Sequence, residues 1–307
     1  MLRTARIYVC TAAEPPTSTQ FCEAVSGAPW APLEPLKLSC IGFHAASEHA
    51  DDHAPLAIGD WFVARIRYTE RRVSSKAVAE AIEPRLKEAE ARNGGSIRAA
   101  EKREIADEIR TRLQHQAPPE SDYTWVCYHP KRRLIVMDGT ASRCELILSL
   151  LRGCLGSLGV RPAVYGRPAD GVMTMWLRNS EPPENVEIGQ SCDMEHPQDT
   201  ANKIRFRAQP LDEDEVTAAL DRGLRVTALE LLRDIGAAEP LTFTLHEDCS
   251  LRSIRHPFVE VEFDEEAMED PLARMRADLT LELDNIQGTI DMLSRELGGM
   301  AELEQVA

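Results

Sequence analysis

The chain has 307 residues, 43% of them hydrophobic, with 51 Asp and Glu against 35 Lys and Arg, a formal net charge of −16. That balance excludes a generic nucleic-acid sponge, because diffuse attraction to phosphate needs positive potential. The longest apolar runs, such as "WFVARI" and "ELILSLL", are too short to span a bilayer.

The N-terminus "MLRTARIYVCTAAEPP" lacks a signal-peptide layout, which points to the cytosol, and the length suggests two or three subdomains. Eight cysteines (Cys10, Cys22, Cys40, Cys127, Cys144, Cys154, Cys192 and Cys249) form no C-x-x-C pair, so free thiols are expected rather than a zinc site. Residues 1–70 read as short strands, "ARIYVCTA", "LKLSCIGF" and "WFVARIRYT", joined by Pro-rich loops. A short helix opening at Thr17 or Ser18 is expected between the first two. "FHAASEHADDHA" places His44, His49 and His53 beside Asp51 and Asp52, but those spacings suit a strand poorly and Pro55 follows, so a solvated loop is expected rather than a metal site.

From Ser74 the period changes. Val78, Ile82, Leu86 and Ala89 recur at three and four, predicting an amphipathic helix capped by Ser74 or Ser75, with Pro84 forecasting a kink or a late start. "NGGS" breaks it; Ile105, Ile109 and Leu113 mark a second helix, ended by "APPES". Together they predict a helical hairpin inserted between strands. Residues 60–115 hold 13 Lys and Arg against 10 acids, a local excess of cations, part of which pairs along the helices with Glu80, Glu101 or Glu108.

"YTWVCYHPKRRLIVMDG" predicts a strand hairpin, and "ASRCELILSLLRGCLGSLG" a helix with its apolar face at Ile147, Leu150, Leu151, Cys154, Leu155 and Leu158. Strands resume with "KIRFR", "LRVTALELL", "LTFTLH" and "SLRSIRH". In "KIRFR" an extended chain puts Lys203, Arg205 and Arg207 on one face and Ile204 and Phe206 on the other. The run Asp212–Glu215 opens a short helix, where the macrodipole favours acids. The tail from Asp264 onward carries 12 acids against 3 arginines, with a long helix opened by Asp270-Pro271. In it Leu272, Met275, Leu279, Leu283, Ile286, Ile290, Leu293 and Leu297 suit either a core-facing or a subunit-contact helix. The fold class is α+β: antiparallel sheets, an inserted helical hairpin and a long C-terminal helix. Phosphate-binding loops, H-E-x-x-H and G-x-S-x-G are all missing, and the acids cluster at helix starts and in the tail, which argues against an enzyme.

"LLRGCLGSLGVRP" (150–162), preceded by the two helices and the strand hairpin, resembles an element of the recombination-associated protein RdgC family of bacteria. "MTMWLRN", "KIRFRAQPLDEDEV", "RVTALELL", "HEDCSLRSIR" and "RADLTLELDNIQGTIDMLSRELGG" follow in that family's order, from about Trp61 to Gly299. The resemblance implies a ring-shaped homodimer that encircles duplex DNA without sequence preference. It would be nucleoid-associated in the cytoplasm and would restrain recombinase-driven recombination, with single-stranded DNA as a further candidate partner. It also implies a central α/β region (1–72 and 117–165), a helical tip (73–116) and a C-terminal α+β region with a dimer-contact helix (166–307). Arg72, Lys76, Arg98, Lys102, Lys203, Arg205, Arg207 and Gln209 match the expected DNA-facing positions, with no catalytic residue, metal or cofactor. Two departures stand out: "QAPPES" replaces the family's basic and aromatic tip, and Pro84 interrupts a helix continuous in relatives. The alternatives are a metal-dependent DNA exonuclease and an acidic adaptor between proteins.

Overall fold

Period-two alternation and capped amphipathic helices organise the chain into two antiparallel sheets and seven helices among the residues that the computed structural model describes, 2–46, 53–257 and 270–300. The first sheet contains β1 (Arg6–Cys10), β2 (Ser39–His44), β3 (Leu56–Ile58), β4 (Trp61–Arg71), β5 (Pro119–His129), β6 (Leu134–Met137) and β7 (Val160–Pro162). Its order is β2-β4-β5-β6-β1-β7, with β3 also paired to β4. The second sheet has the order β12-β11-β10-β8-β9, from β8 (Val186–His196), β9 (Asp199–Phe206), β10 (Arg225–Arg233), β11 (Leu241–His246) and β12 (Leu251–Arg255).

One face of the first sheet is covered by α1 (Ser18–Ser26) and α4 (Ala141–Leu155), through a cluster that includes Phe21, Val25, Tyr128, Met137, Ile147 and Leu151. Thr17 and Gln20 form a capping box at the start of α1. Gly156, at φ +75°, follows α4, so that helix ends at Leu155, before Leu158. The opposite face, with Ile7, Val63, Cys127 and Val136, belongs to a second core shared with the other sheet, α5 (Ala169–Asn179), α6 (Asp214–Asp221) and α7 (Pro271–Glu296). Asp214 and Glu215 occupy the first turn of α6, as the acid run predicts.

Between β4 and β5 stand α2 (Ser75–Asn93) and α3 (Ala99–Gln116). Ser74 caps α2 by accepting from the Ala77 N–H, and the helix runs through Pro84 with no late start. Pro84 and Glu80, whose carbonyl a proline at position 84 leaves without a helical partner, are both exposed residues. Val78 and Ala89 of α2 and Ile109 of α3 are buried, while Asn93 bonds Glu101 and Lys102 pairs with Glu90.

α7 is the core-facing helix of the two alternatives that its periodicity allows. Leu279, Leu283, Ile286, Ile290, Leu293 and Leu297 are each 1% exposed or less. It touches both sheets: Arg132, in the β5–β6 turn, pairs with Asp291, and Arg233 of β10 donates to the Asn285 carbonyl. A Cβ at Gly288 would lie 2.6 Å from the Arg233 Nη2, so glycine leaves room for that guanidinium to lie against the helix. The N-terminal segment joins the sheets as well. Ala5 exchanges backbone hydrogen bonds with Leu251, the first residue of β12, before the chain enters β1, and Arg6 pairs with Asp248 at 3.0 Å. No helix among the described residues is long and apolar enough to cross a membrane.

Ile290→Ala should cost about 2–5 kcal/mol of unfolding free energy, read from urea denaturation, because the side chain leaves a cavity in the core that both sheets share. At Asp248 burial alone would raise the carboxyl, but hydrogen bonds from Ser250 and the Arg6 charge outweigh it and bring it down to about 2. A depressed carboxylate stabilises fully above its unfolded value of about 4 and loses that contribution as pH falls through the folded value. Asp248→Asn should therefore cost about 1 kcal/mol at neutral pH, a figure discounted because the side chain is 42% exposed, with the difference shrinking as pH falls towards the folded value and vanishing below it in thermal unfolding across pH.

Candidate nucleic-acid interface

The three cations of β9 and its extension lie where alternation puts them. Phe206 is 5% exposed and Ile204 half-buried, while Lys203, Arg205 and Arg207 are exposed. Their antiparallel neighbour β8 sets acids opposite them, with Glu195 across from Lys203 and Asp193 across from Arg205. Lys203 Nζ lies 2.7 Å from Glu195 Oε2 and Arg205 Nε 3.9 Å from Asp193 Oδ2. Arg207 Nη2 lies 2.5 Å from Asp193 Oδ1, and its Nη1 also donates to the carbonyls of Cys192 and Phe206. Three cations thus share two carboxylates.

Ala208, at φ +52°, then interrupts the extended backbone, so Gln209 does not continue the alternation; its N–H donates to the Gln190 carbonyl. Further across the same sheet face, a cavity of about 640 Å³ is lined by Arg3, Arg207, Arg255, Asp193, Glu230 and His246, among others. Arg255 pairs with Glu230 at 3.0 Å. Burial, and then the Arg252 charge, lowers the pKa of His246, so it adds no positive charge at neutral pH. Arg3 and Arg255 escape a sequence reading because they come from opposite ends of the chain.

The other four candidates divide into two places. Arg72 sits just after β4, hemmed by Glu70, Asp122 and Glu120; hydrogen bonds to Glu70 and Asp122 raise its pKa and hold it charged. Lys76, in the first turn of α2, lies 3.9 Å from Glu80. Arg98 precedes α3 as its N-cap, and Lys102 pairs with Glu90 at 3.7 Å. A helix of this length separates Lys76 from Arg98 by about 25 Å, so the fold does not gather these four into one patch.

The histidine-rich loop gathers no metal set among the described residues. His44 packs edge-on against Tyr123, and His53 Nε2 lies 2.8 Å from the Ser26 carbonyl, while His49, Asp51 and Asp52 lie outside the described residues. No group of three or more His, Cys, Asp or Glu among the described residues could hold a metal ion. All eight cysteines are free, and burial pushes the Cys10 and Cys144 thiols up to about 11.

Fold and surface define an α+β protein that carries exposed cations on an antiparallel sheet face, inside an acidic chain. The chain belongs to the RdgC family: residues 1–300 match the family described as "Putative exonuclease, RdgC". It is 30% identical over 238 residues to the recombination-associated protein RdgC of Shewanella frigidimarina, covering 76% of each chain. It is 31% identical, over the same shares, to that of Shewanella denitrificans. These relatives are named for recombination, whereas the family description carries a nuclease label.

Phe206→Ala should cost about 3–5 kcal/mol in urea unfolding, since the ring is buried. Arg205→Ala, on the opposite side of the same strand, should stay within about 0.5 kcal/mol of the parent.

Proposed function

We propose that the chain is a sequence-independent DNA-binding protein that closes as a homodimer around duplex DNA and restrains recombinase-driven homologous recombination in the nucleoid. The observation that carries this reading is the exposed strip of Lys203, Arg205 and Arg207, continued towards Arg255 and Arg3, on a chain whose net charge is −16. Phosphate binding by such a strip is local, because screening over about 8–10 Å uncouples it from acids elsewhere. The names of the relatives support a role in recombination.

In this reading residues 1–72 and 117–165 form the central region, 73–116 a projecting helical hairpin and 166–307 the C-terminal region. The apolar face of α7 is occupied by the chain's own core, which favours subunit contacts elsewhere. They would use other surfaces, and light scattering that finds a monomer at micromolar concentration would remove the ring. An exonuclease would instead release nucleotides from labelled ends in a Mg²⁺-dependent reaction, and an adaptor would keep its function without the cations.

The test combines salt titrations of duplex binding with two variants. Removing one cation–phosphate pair flattens the slope of log affinity against log salt by about 0.9. Arg205→Ala/Arg207→Ala should therefore flatten it by up to four such steps in a two-fold dimer, where each arginine occurs twice, and equally for every duplex sequence. Asp193→Asn should tighten binding, because it frees the two guanidiniums that Asp193 now holds. An unchanged slope in the folded double variant would show that the strip faces something other than DNA.

A further inference from the structure

The first sheet carries a second surface, of different chemistry, where β2, β4 and β5 run past the end of the shared core. Register places Arg65 opposite Trp125 and Arg67 opposite Tyr123. The Arg67 guanidinium lies 3.7 Å over the Trp30 ring and 5.7 Å from the Tyr123 ring, and the Arg65 guanidinium lies 4.1 Å over Tyr123. The rows interleave indole, guanidinium, phenol and guanidinium, with the His44 ring edge-on to Tyr123 at 5.4 Å.

The arrangement is built rather than incidental. Trp30 Nε1 donates to Thr69 Oγ1 at 3.1 Å, Arg67 Nε donates to Ser121 Oγ at 3.0 Å, and those two hydroxyls bond each other at 2.8 Å. A Cβ at Gly42 would lie 2.5 Å from the Trp30 Cα, so glycine on β2 is what lets Trp30 lie against the sheet. Two features go beyond sheet stabilisation. Tyr123 keeps 44% of its surface exposed although it is stacked and framed. Arg67 has no carboxylate within ion-pair distance among the described residues, and its two terminal NH₂ groups make no hydrogen bond there, although the chain holds 51 acids. The nearest acids along these strands, Glu70 and Asp122, belong to the opposite face, around Arg72.

We propose that the Trp30–Arg67–Tyr123 ladder is a stacking site for an unpaired base of single-stranded DNA. The inference rests on the DNA-binding reading but uses a separate surface and a separate kind of contact. A base in a duplex has both faces covered by its neighbours, whereas an unpaired base can lay one face on an exposed ring or guanidinium plane. The free edge of Arg67 then donates to the base edge or to the adjoining phosphate. Stacking accepts any base, which suits binding without sequence preference.

The full chain is titrated with a labelled single-stranded oligonucleotide and with its duplex. Tyr123→Ala should weaken single-strand affinity about tenfold, the size of one base–aromatic stack, with an unchanged salt slope and with duplex affinity within about twofold. Tyr123→Phe should retain the parent affinity. Single strand should also quench the emission of Trp30, and Trp30→Phe should remove that part of the signal. Equal affinity for single strand in a Tyr123→Ala protein with parental thermal stability would overturn the site, as would an equal weakening for duplex. A parent chain that binds duplex alone would overturn the stacking site and leave the DNA-binding reading standing. One that binds neither would overturn both.

Discussion

Burial of the α7 apolar face against both sheets at once is the constraint on which the rest of the structure depends. The helix and its C-cap Leu297 leave water with six aliphatic side chains essentially unexposed, and these belong to the same core as Ile7, Val63 and Val136 of one sheet and Leu229, Leu231 and Phe243 of the other. Polar groups lock its position. Glu282, 7% exposed, accepts the Leu2 N–H at 2.9 Å, and Thr289, fully buried, returns its hydroxyl to the Asn285 carbonyl. A buried carboxylate and a buried backbone N–H each cost free energy alone, and their mutual hydrogen bond offsets that cost in a single geometry. The first and last described segments of the chain therefore fix each other.

That closure decides which surfaces remain available. With α1 and α4 on one face of the first sheet and the shared core on much of the other, what stays open is the end beyond the core, where Arg67 and Tyr123 stand. With α5, α6 and α7 gathered against the inner face of the second sheet, its outer face, bearing Lys203, Arg205 and Arg207, is left to solvent. Both surfaces are sheet faces of fixed register, so their side chains are spaced by backbone hydrogen bonds rather than by loop conformation.

Local periodicity makes the helices α1, α2, α3, α4 and α7 and the strand β9 legible: α1, α2, α4 and α7 carry their own side-chain caps, whereas α3 and β9 are marked by apolar spacing alone. Of the two outcomes forecast for Pro84, the late start does not occur, because a proline on an exposed helix face removes one hydrogen bond without forcing a break. α5 and β8 are not among the elements that local spacing predicts. In β8 the alternation of Val186, Ile188, Cys192 and Met194 is a real but weak signal, blurred by Gly189 and Gln190 in the middle. Without that strand Asp193 and Glu195 stay hidden, and with them the fact that the β9 cations already have partners. The Trp30–Arg67 contact is harder still. It needs the β2–β4 pairing and the close approach at Gly42, neither of which any local spacing encodes.

Partners of their own do not disqualify the β9 cations as a phosphate surface, and the magnitudes show why. Exposed ion pairs contribute about 0–1 kcal/mol, because solvent already screens both charges and holding two long side chains together costs entropy. Lys203, Arg205 and Arg207 are 48%, 70% and 53% exposed, so exchanging a carboxylate for a phosphate there breaks only weak interactions. In the DNA-binding reading proposed above, Asp193 and Glu195 would then act as a brake, lowering the resting positive potential of the strip so that it does not collect every polyanion. A phosphate row of matching spacing can still engage all three cations together, since these stand at alternate positions along one extended chain. Weak, easily exchanged contacts of this kind also carry no base information. Such a surface favours a protein that stays on DNA while moving along it, which is the behaviour an encircling dimer would need.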